Sequence, residues 1–137
     1  MKLGHRKQAM ERSGAMLMKP RYVIAVLSLA RSTTYYRDVL GFNVQWQDVP
    51  GWRLFTRDAC IVMAGECPDA LPVSAIGDHS YFAYVQVEGI DELHEAFSQR
   101  GVTFVKSLRD EAWGMREFGI ETIDGHRMMF GQACLPA

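Results

Sequence analysis

The sequence predicts an α+β fold made of two pseudo-repeated βαβββ modules, and three observations carry that reading. The order strand, helix, glycine, three strands occurs twice along the 137 residues. Matching Val26 to Val87 and Leu29 to Ile90 gives an offset of 61 residues, whereas matching Asp58-Ala59 to Asp124-Gly125 gives 66. Finally, each module holds one helix, enough to cover one face of its small sheet, so the other face needs the second module or another chain.

The elements follow in order. Tyr22 to Leu27 is an apolar, β-branched run that reads as a strand buried on both faces. Ser28 is placed to cap a helix over Ala30 to Leu40, and Gly41 follows where a left-handed residue ends it. Phe42 to Gln47 alternates as a half-buried strand, with Val44 and Trp46 inward. Pro50-Gly51 turns the chain into a strand over Trp52 to Thr56, and Arg57-Asp58 turns it into Ala59 to Ala64. Residues 67–79, with Pro68, Pro72 and Gly77, read as a linker between module one (21–66) and module two (80–132).

The second module repeats the pattern. Tyr81 to Val87 is a strand, Ile90 to Gln99 a helix with Leu93, Ala96 and Phe97 on one face, and Gly101 its stop. Val102 to Val105 is a strand. Met115 to Thr122 and Arg127 to Gly131 pair through Asp124-Gly125, a strong hairpin signal. The five extra residues fall in a loop around Leu108 to Trp113. Residues 1–20 are basic, lack the apolar stretch of a secretory signal, and are expected to form a disordered or loosely ordered tail before a single domain over 21–137.

Composition narrows the function classes. Hydrophobic residues make up 48% and charged residues 23%, as in ordinary globular domains. A formal net charge of −1, with scattered Lys and Arg, gives no face for nucleic acid. No apolar run is long enough to span a membrane. Cys60, Cys67 and Cys134 are odd in number without metal-type spacing, which favours a reducing, cytoplasmic setting over a disulfide framework.

Four segments together resemble the glyoxalase/bleomycin-resistance/dioxygenase (vicinal oxygen chelate) superfamily, in particular its bleomycin-resistance-like members. They are Leu29 to Phe42, Val87 to Val105, Trp113 to Phe118 and Thr122 to Gln132, in the family's order and spacing. The last resembles a closing Asp-Pro-x-Gly-Asn hairpin, with Thr122, Ile123 and His126 replacing its Asp, Pro and Asn. The resemblance implies that the sheets curl into a cup. It also implies a homodimer in which each site draws on both chains.

Enzymes of this superfamily hold a divalent metal with His and Glu at four strand positions, which map here to Arg21, Met63, Phe82 and Met129. Arg offers no lone pair, Phe has none, and a thioether is a poor ligand for hard divalent ions. Moving two residues along each strand keeps the face and brings in Lys19, Val23, Ile61, Gly65, Ser80, Tyr84, Arg127 and Gly131, again without His, Asp or Glu. No metal, cofactor or catalytic residue is therefore expected.

Other chemistry finds little support in the residues. His5, His79, His94 and His126 lie on a tail, a linker, a helix and a hairpin and do not converge; His79, near Glu66 and Asp78, is the best remaining metal or base candidate. Cys60 lacks an evident activating base and reads as a small inward hydrophobe. There is no Gly-rich phosphate loop.

What remains is an aromatic and thioether-rich set suited to a planar, partly apolar ligand: Trp52, Phe55, Met63, Phe82, Tyr84, Trp113 and Met129, with Arg21 and Arg116 as charged donors. Phe82 and Tyr84 are expected on one face of their strand, while Trp46 and Phe118 read as core. The favoured function is a metal-free small-molecule-binding protein that sequesters an antibiotic or other planar compound. The alternatives are a metal-dependent lyase or dioxygenase with a non-standard site, and a dimeric interaction module without ligand.

Overall fold

The structure, a computed structural model, describes residues 14–71, 75 and 81–134. The segment 1–13 with His5, and the linker residues Asp78 and His79, lie outside the described residues. Eight strands form two four-stranded mixed sheets, ordered β1-β4-β3-β2 and β5-β8-β7-β6. The first sheet comprises β1 (Tyr22–Val26), β2 (Asn43–Gln45), β3 (Trp52–Arg57) and β4 (Cys60–Glu66). The second comprises β5 (Tyr81–Gln86), β6 (Thr103–Asp110), β7 (Met115–Glu121) and β8 (Arg127–Ala133). In each the first strand pairs parallel to the fourth and the rest pair antiparallel, the βαβββ order repeated.

Helix α1 (Leu29–Thr34) starts where Ser28 Oγ accepts a hydrogen bond from Arg31 N at 3.3 Å. It runs into a π-helical turn, Tyr35–Val39, where a continuous α-helix to Leu40 is expected. Gly41, at φ +78°, then reverses the chain as a left-handed stop should. Helix α2 (Ile90–Gln99) has the bounds the sequence predicts. Its first two amides, Gly89 N and Ile90 N, donate to Gln132 Oε1 at 3.1 and 2.9 Å, which ties the helix to β8.

Register sorts the two faces of each sheet, since residues directly opposite share a face. The helix-covered face of sheet one carries Ile24, Ala64, Val62 and Phe55. There Phe55 stacks on Tyr36 with ring centroids 4.5 Å apart, and both rings are fully buried. In sheet two Phe118, Ile120, Met128 and Phe130 fill the same role beneath Phe97.

Three local expectations change. β1 is buried on one face only, with Val23 59% and Leu27 54% exposed on the uncovered side, because that face of the sheet has no helix above it. β6 extends to Asp110 through two register shifts, so the extra residues of module two are absorbed as bulged strand and leave a short loop at 111–114. Trp46, expected as core on β2, adopts φ +65° just beyond the strand.

Candidate functional site: the open faces of the two sheets

Side-chain alternation puts Val23, Met63 and Leu54 side by side on the open face of sheet one, and Ala25, Gly65 and Trp52 in the next row. The Trp52 indole lies across Gly65, 2.8 Å from where a Cβ would stand, so only glycine leaves room for it. Arg21 precedes one edge strand and Trp46 follows the other, three strand spacings of about 14 Å away on a flat sheet. Their side chains nevertheless approach, with the guanidinium carbon 5.9 Å from the indole centroid, as a sheet curling over its open face requires.

The open face of sheet two is built on the rows Tyr84–Met129–Gly119 and Gln86–Gly131–Glu117. Two glycines again make room: the Tyr81 hydroxyl lies 2.8 Å from where a Gly119 Cβ would be, and the Tyr84 ring lies over Gly131. At the centre Glu117 is only 3% exposed. Its carboxylate accepts hydrogen bonds from Tyr84 Oη at 2.7 Å, Trp113 Nε1 at 3.1 Å and Lys106 Nζ at 2.6 Å. The Lys106 ammonium also contacts Glu111 Oε2 at 2.6 Å and lies 5.3 Å from the Trp113 ring centroid.

Electrostatics follow from that network. Burial pushes the Glu117 carboxyl up, but the hydrogen bonds from Lys106, Trp113 and Tyr84 outweigh it and hold the group below the usual carboxylate range. Desolvation, then the bond to Glu117, pushes the Tyr84 phenol up to about 12, so it remains a proton donor at neutral pH. Burial pulls Lys106 down, and its two carboxylate partners more than restore it. The site thus holds one phenol, one indole and one ammonium in fixed orientation around a buried anion.

Of the sequence-derived candidates, Tyr84, Met129 and Trp113 meet in this second face, and Arg21, Trp52 and Met63 lie on the first. Three others stand elsewhere. Phe55 points into the helix-covered core, because it faces Val62 across the ladder. Arg116 also lies opposite the cup, one residue out of phase with Glu117. Its guanidinium is engaged by Asp110 Oδ1 at 2.6 Å and Asp91 Oδ2 at 3.1 Å. A register shift between Tyr81 and Ala83 turns Phe82 away from the side of Tyr84, so its ring packs edge-on against Tyr22 at 5.7 Å and His126 at 5.8 Å. Glu117 and Lys106 went unnoticed in the sequence. Their signal is the placement of Glu117, Gly119 and Gly131 at alternate positions on two adjacent strands.

The model of the Glyoxalase/Bleomycin resistance protein/Dioxygenase superfamily matches residues 20–130. The chain belongs to this superfamily. Among curated proteins none matches by sequence. Of the solved structures similar to it, UcmS2 superposes with a TM-score of 0.72 at 17% identity, over 85% of this chain and 98% of that one. A glyoxalase/bleomycin resistance protein/dioxygenase from Nocardioides gives 0.70 at 17%, over 100% and 96%. The fosfomycin resistance protein FosX from Listeria monocytogenes gives 0.63 at 12%, over 90% and 96%. At these identities the likeness concerns the fold alone.

Enzymes of the superfamily hold a divalent metal on this open face, so the residues here can be tested against one. The mapped positions Arg21, Met63, Phe82 and Met129 carry no metal ligand, and neither do Val23 and Tyr84, which register sets beside Met63 and Met129. Among the described residues no group of three or more His, Cys, Asp or Glu is arranged to hold a metal ion. Glu117, the buried carboxylate on this face, already accepts from three donors. The donor set does not fit a hard divalent cation.

Proposed function

We propose that this member of the superfamily binds a planar, partly apolar organic molecule on its open faces without a metal, and sequesters it rather than transforming it. The observation that carries this reading is the Glu117 carboxylate, which holds the Tyr84 and Trp113 rings and the Lys106 ammonium together beside Met129. Rings locked by hydrogen bonds lose little freedom when a flat ligand stacks on them, so more of the contact energy appears as affinity. Arg21, Trp52 and Met63 would supply the facing surface of the site. An antibiotic is a suitable ligand class, in keeping with a fosfomycin resistance protein among the proteins of like fold.

Val23, Leu27, Trp52, Tyr84 and Trp113 are exposed large hydrophobics on or beside the open faces. A homodimer that sets the open face of one module against that of a partner would cover them and close the site. No helix among the described residues is long and apolar enough to cross a membrane, and the three free cysteines suit a reducing compartment.

A thermal-shift and calorimetric screen with bleomycin and other planar aromatic compounds tests the reading. Saturable binding that raises the melting temperature is expected. A complete absence of heat and shift across the panel would remove it.

A further inference from the structure

The repeat should make the contact between modules twice, once with each hairpin against the other module's helix, and it makes only one of them tightly. In the tight half, the hairpin between β7 and β8 meets α1 and β1. Ser32 Oγ donates to Asp124 Oδ2 at 2.8 Å, and Arg31 Nη2 donates to Ile123 O at 3.2 Å and lies 3.9 Å from Asp124 Oδ1. Phe82 wedges between His126 and Tyr22.

The offsets of 61 and 66 residues name the counterparts in the other half. Asp58 stands for Asp124, Arg57 for Ile123 and Cys60 for His126, facing Glu92 for Arg31, Leu93 for Ser32 and Gln86 for Ala25. These replacements remove the side-chain donors that close the other half. A carboxylate, Glu92, stands at the position of Arg31 and cannot pair with Asp58, Leu93 has no hydroxyl to donate, and Arg57 Nη1 donates to Leu40 O at 2.7 Å. The two modules part there and leave a groove of about 950 Å³ lined by Asp58, Cys60, Gln86, Glu92 and Leu93.

We propose that this open half of the seam is a second ligand site, centred on Asp58, Cys60, Glu92 and Leu93 and adjoining the cup at Arg21 and Tyr84, for an amphipathic organic cation. Leu93, Ala96, Phe97 and Phe130 give it an apolar lining. Asp58, Glu88 and Glu92 line it too, exposed and without a hydrogen-bond or ion-pair partner among the described residues. Arg21 and Arg57 also line it, but both guanidinium groups are turned to other neighbours, Arg57 to Leu40 and Arg21 toward Trp46. An apolar body with an ammonium group meets both parts of this lining, whereas an anion meets three unpartnered carboxylates against two guanidinium groups that are already engaged. The volume is within the usual range of small-molecule pockets, about 300–1,000 Å³.

Titration of the full chain with 4-phenylbutylammonium and with its neutral counterpart 4-phenylbutanol, followed by amide NMR, tests this. At low salt the ammonium should saturate and bind at least about fivefold more tightly than the alcohol, a preference that added salt erodes. The shifted amides should include Cys60, Leu93 and Ala96. Asp58→Asn with Glu92→Gln, at exposed positions where Asn tolerates the φ of +50° at 58, should abolish the preference while the alcohol still binds. Glu92→Arg with Leu93→Ser would give α2 the pair that α1 presents to Asp124, and should close the groove to both probes and raise the melting temperature. Equal affinity for the two probes, no saturation at millimolar concentration, or shifts confined to Trp113, Glu117 and Met129 would overturn the proposal. The last result would leave the cup reading standing.

Discussion

The Tyr84 hydroxyl donates to Glu117 Oε2 at 2.7 Å, and it crosses Gly131 to do so, where any Cβ would occupy the space of the phenol. A buried acid, an aromatic donor and a glycine on three adjacent strands are thus one unit. Replacing Gly131 by Ala should push Tyr84 off Glu117 and destabilise the protein by roughly 1–3 kcal/mol. Tyr84→Ala in the same chain should recover much of that loss. Urea unfolding of the two single variants and the double variant measures the coupling, and additive effects would mean that the two residues do not share the space.

Glu117→Ala removes the acceptor for three donors and leaves Lys106 with Glu111 alone. A cost of about 2–4 kcal/mol is expected, because removing one partner strands polar groups in a half-buried site. In a domain of this size that is a melting-point drop on the order of 10 °C, readable by differential scanning calorimetry. Trp113 fluorescence should shift as well, since its indole N–H loses its partner.

Phe55 and Arg116 provide controls on the opposite face. Phe55→Ala should cost about 3–5 kcal/mol, as for any fully buried ring. Arg116→Ala breaks exposed ion pairs and should cost about 1 kcal/mol or less. Neither should change the affinity for a ligand found by the binding screen, measured where the protein is fully folded.

His126 predicts a pH dependence. Desolvation lowers its pKa, and this outweighs the Asp124 charge and the bond to the Ala25 backbone, which raise it. The folded protein therefore favours the neutral ring, and below about 6.5 the unfolded chain binds the extra proton first. Stability from this group is present above that pH and is lost as pH falls. Melting temperature against pH should decline below about 6.5 in the wild type and decline less in His126→Gln. Identical profiles would assign the slope to other groups.

Much of the fold was legible because its signals are local. Gly41 and Gly101 end their helices with positive φ, Ser28 caps α1, and the twofold order of elements gives the topology. The bulge at Phe82 was not legible, because alternation along β5 gives no sign of where the parallel ladder to β8 slips. The same limit hid the cup's centre. Lys106 and Glu117 draw no notice in the sequence until register brings them to one face, and Arg116 is excluded from the site only by being one residue out of phase.

The central claim is that the open faces grip a ligand with oriented rings and without a metal. It is tested most directly by Trp fluorescence titration of EDTA-treated protein with the best compound from the binding screen, with and without added Zn, Mn or Fe(II). The account predicts saturable binding that is indifferent to the metal and weakened at least about tenfold by Trp113→Ala, a loss typical of a stacked anchor. Binding that vanishes with EDTA and returns with a divalent ion would contradict it.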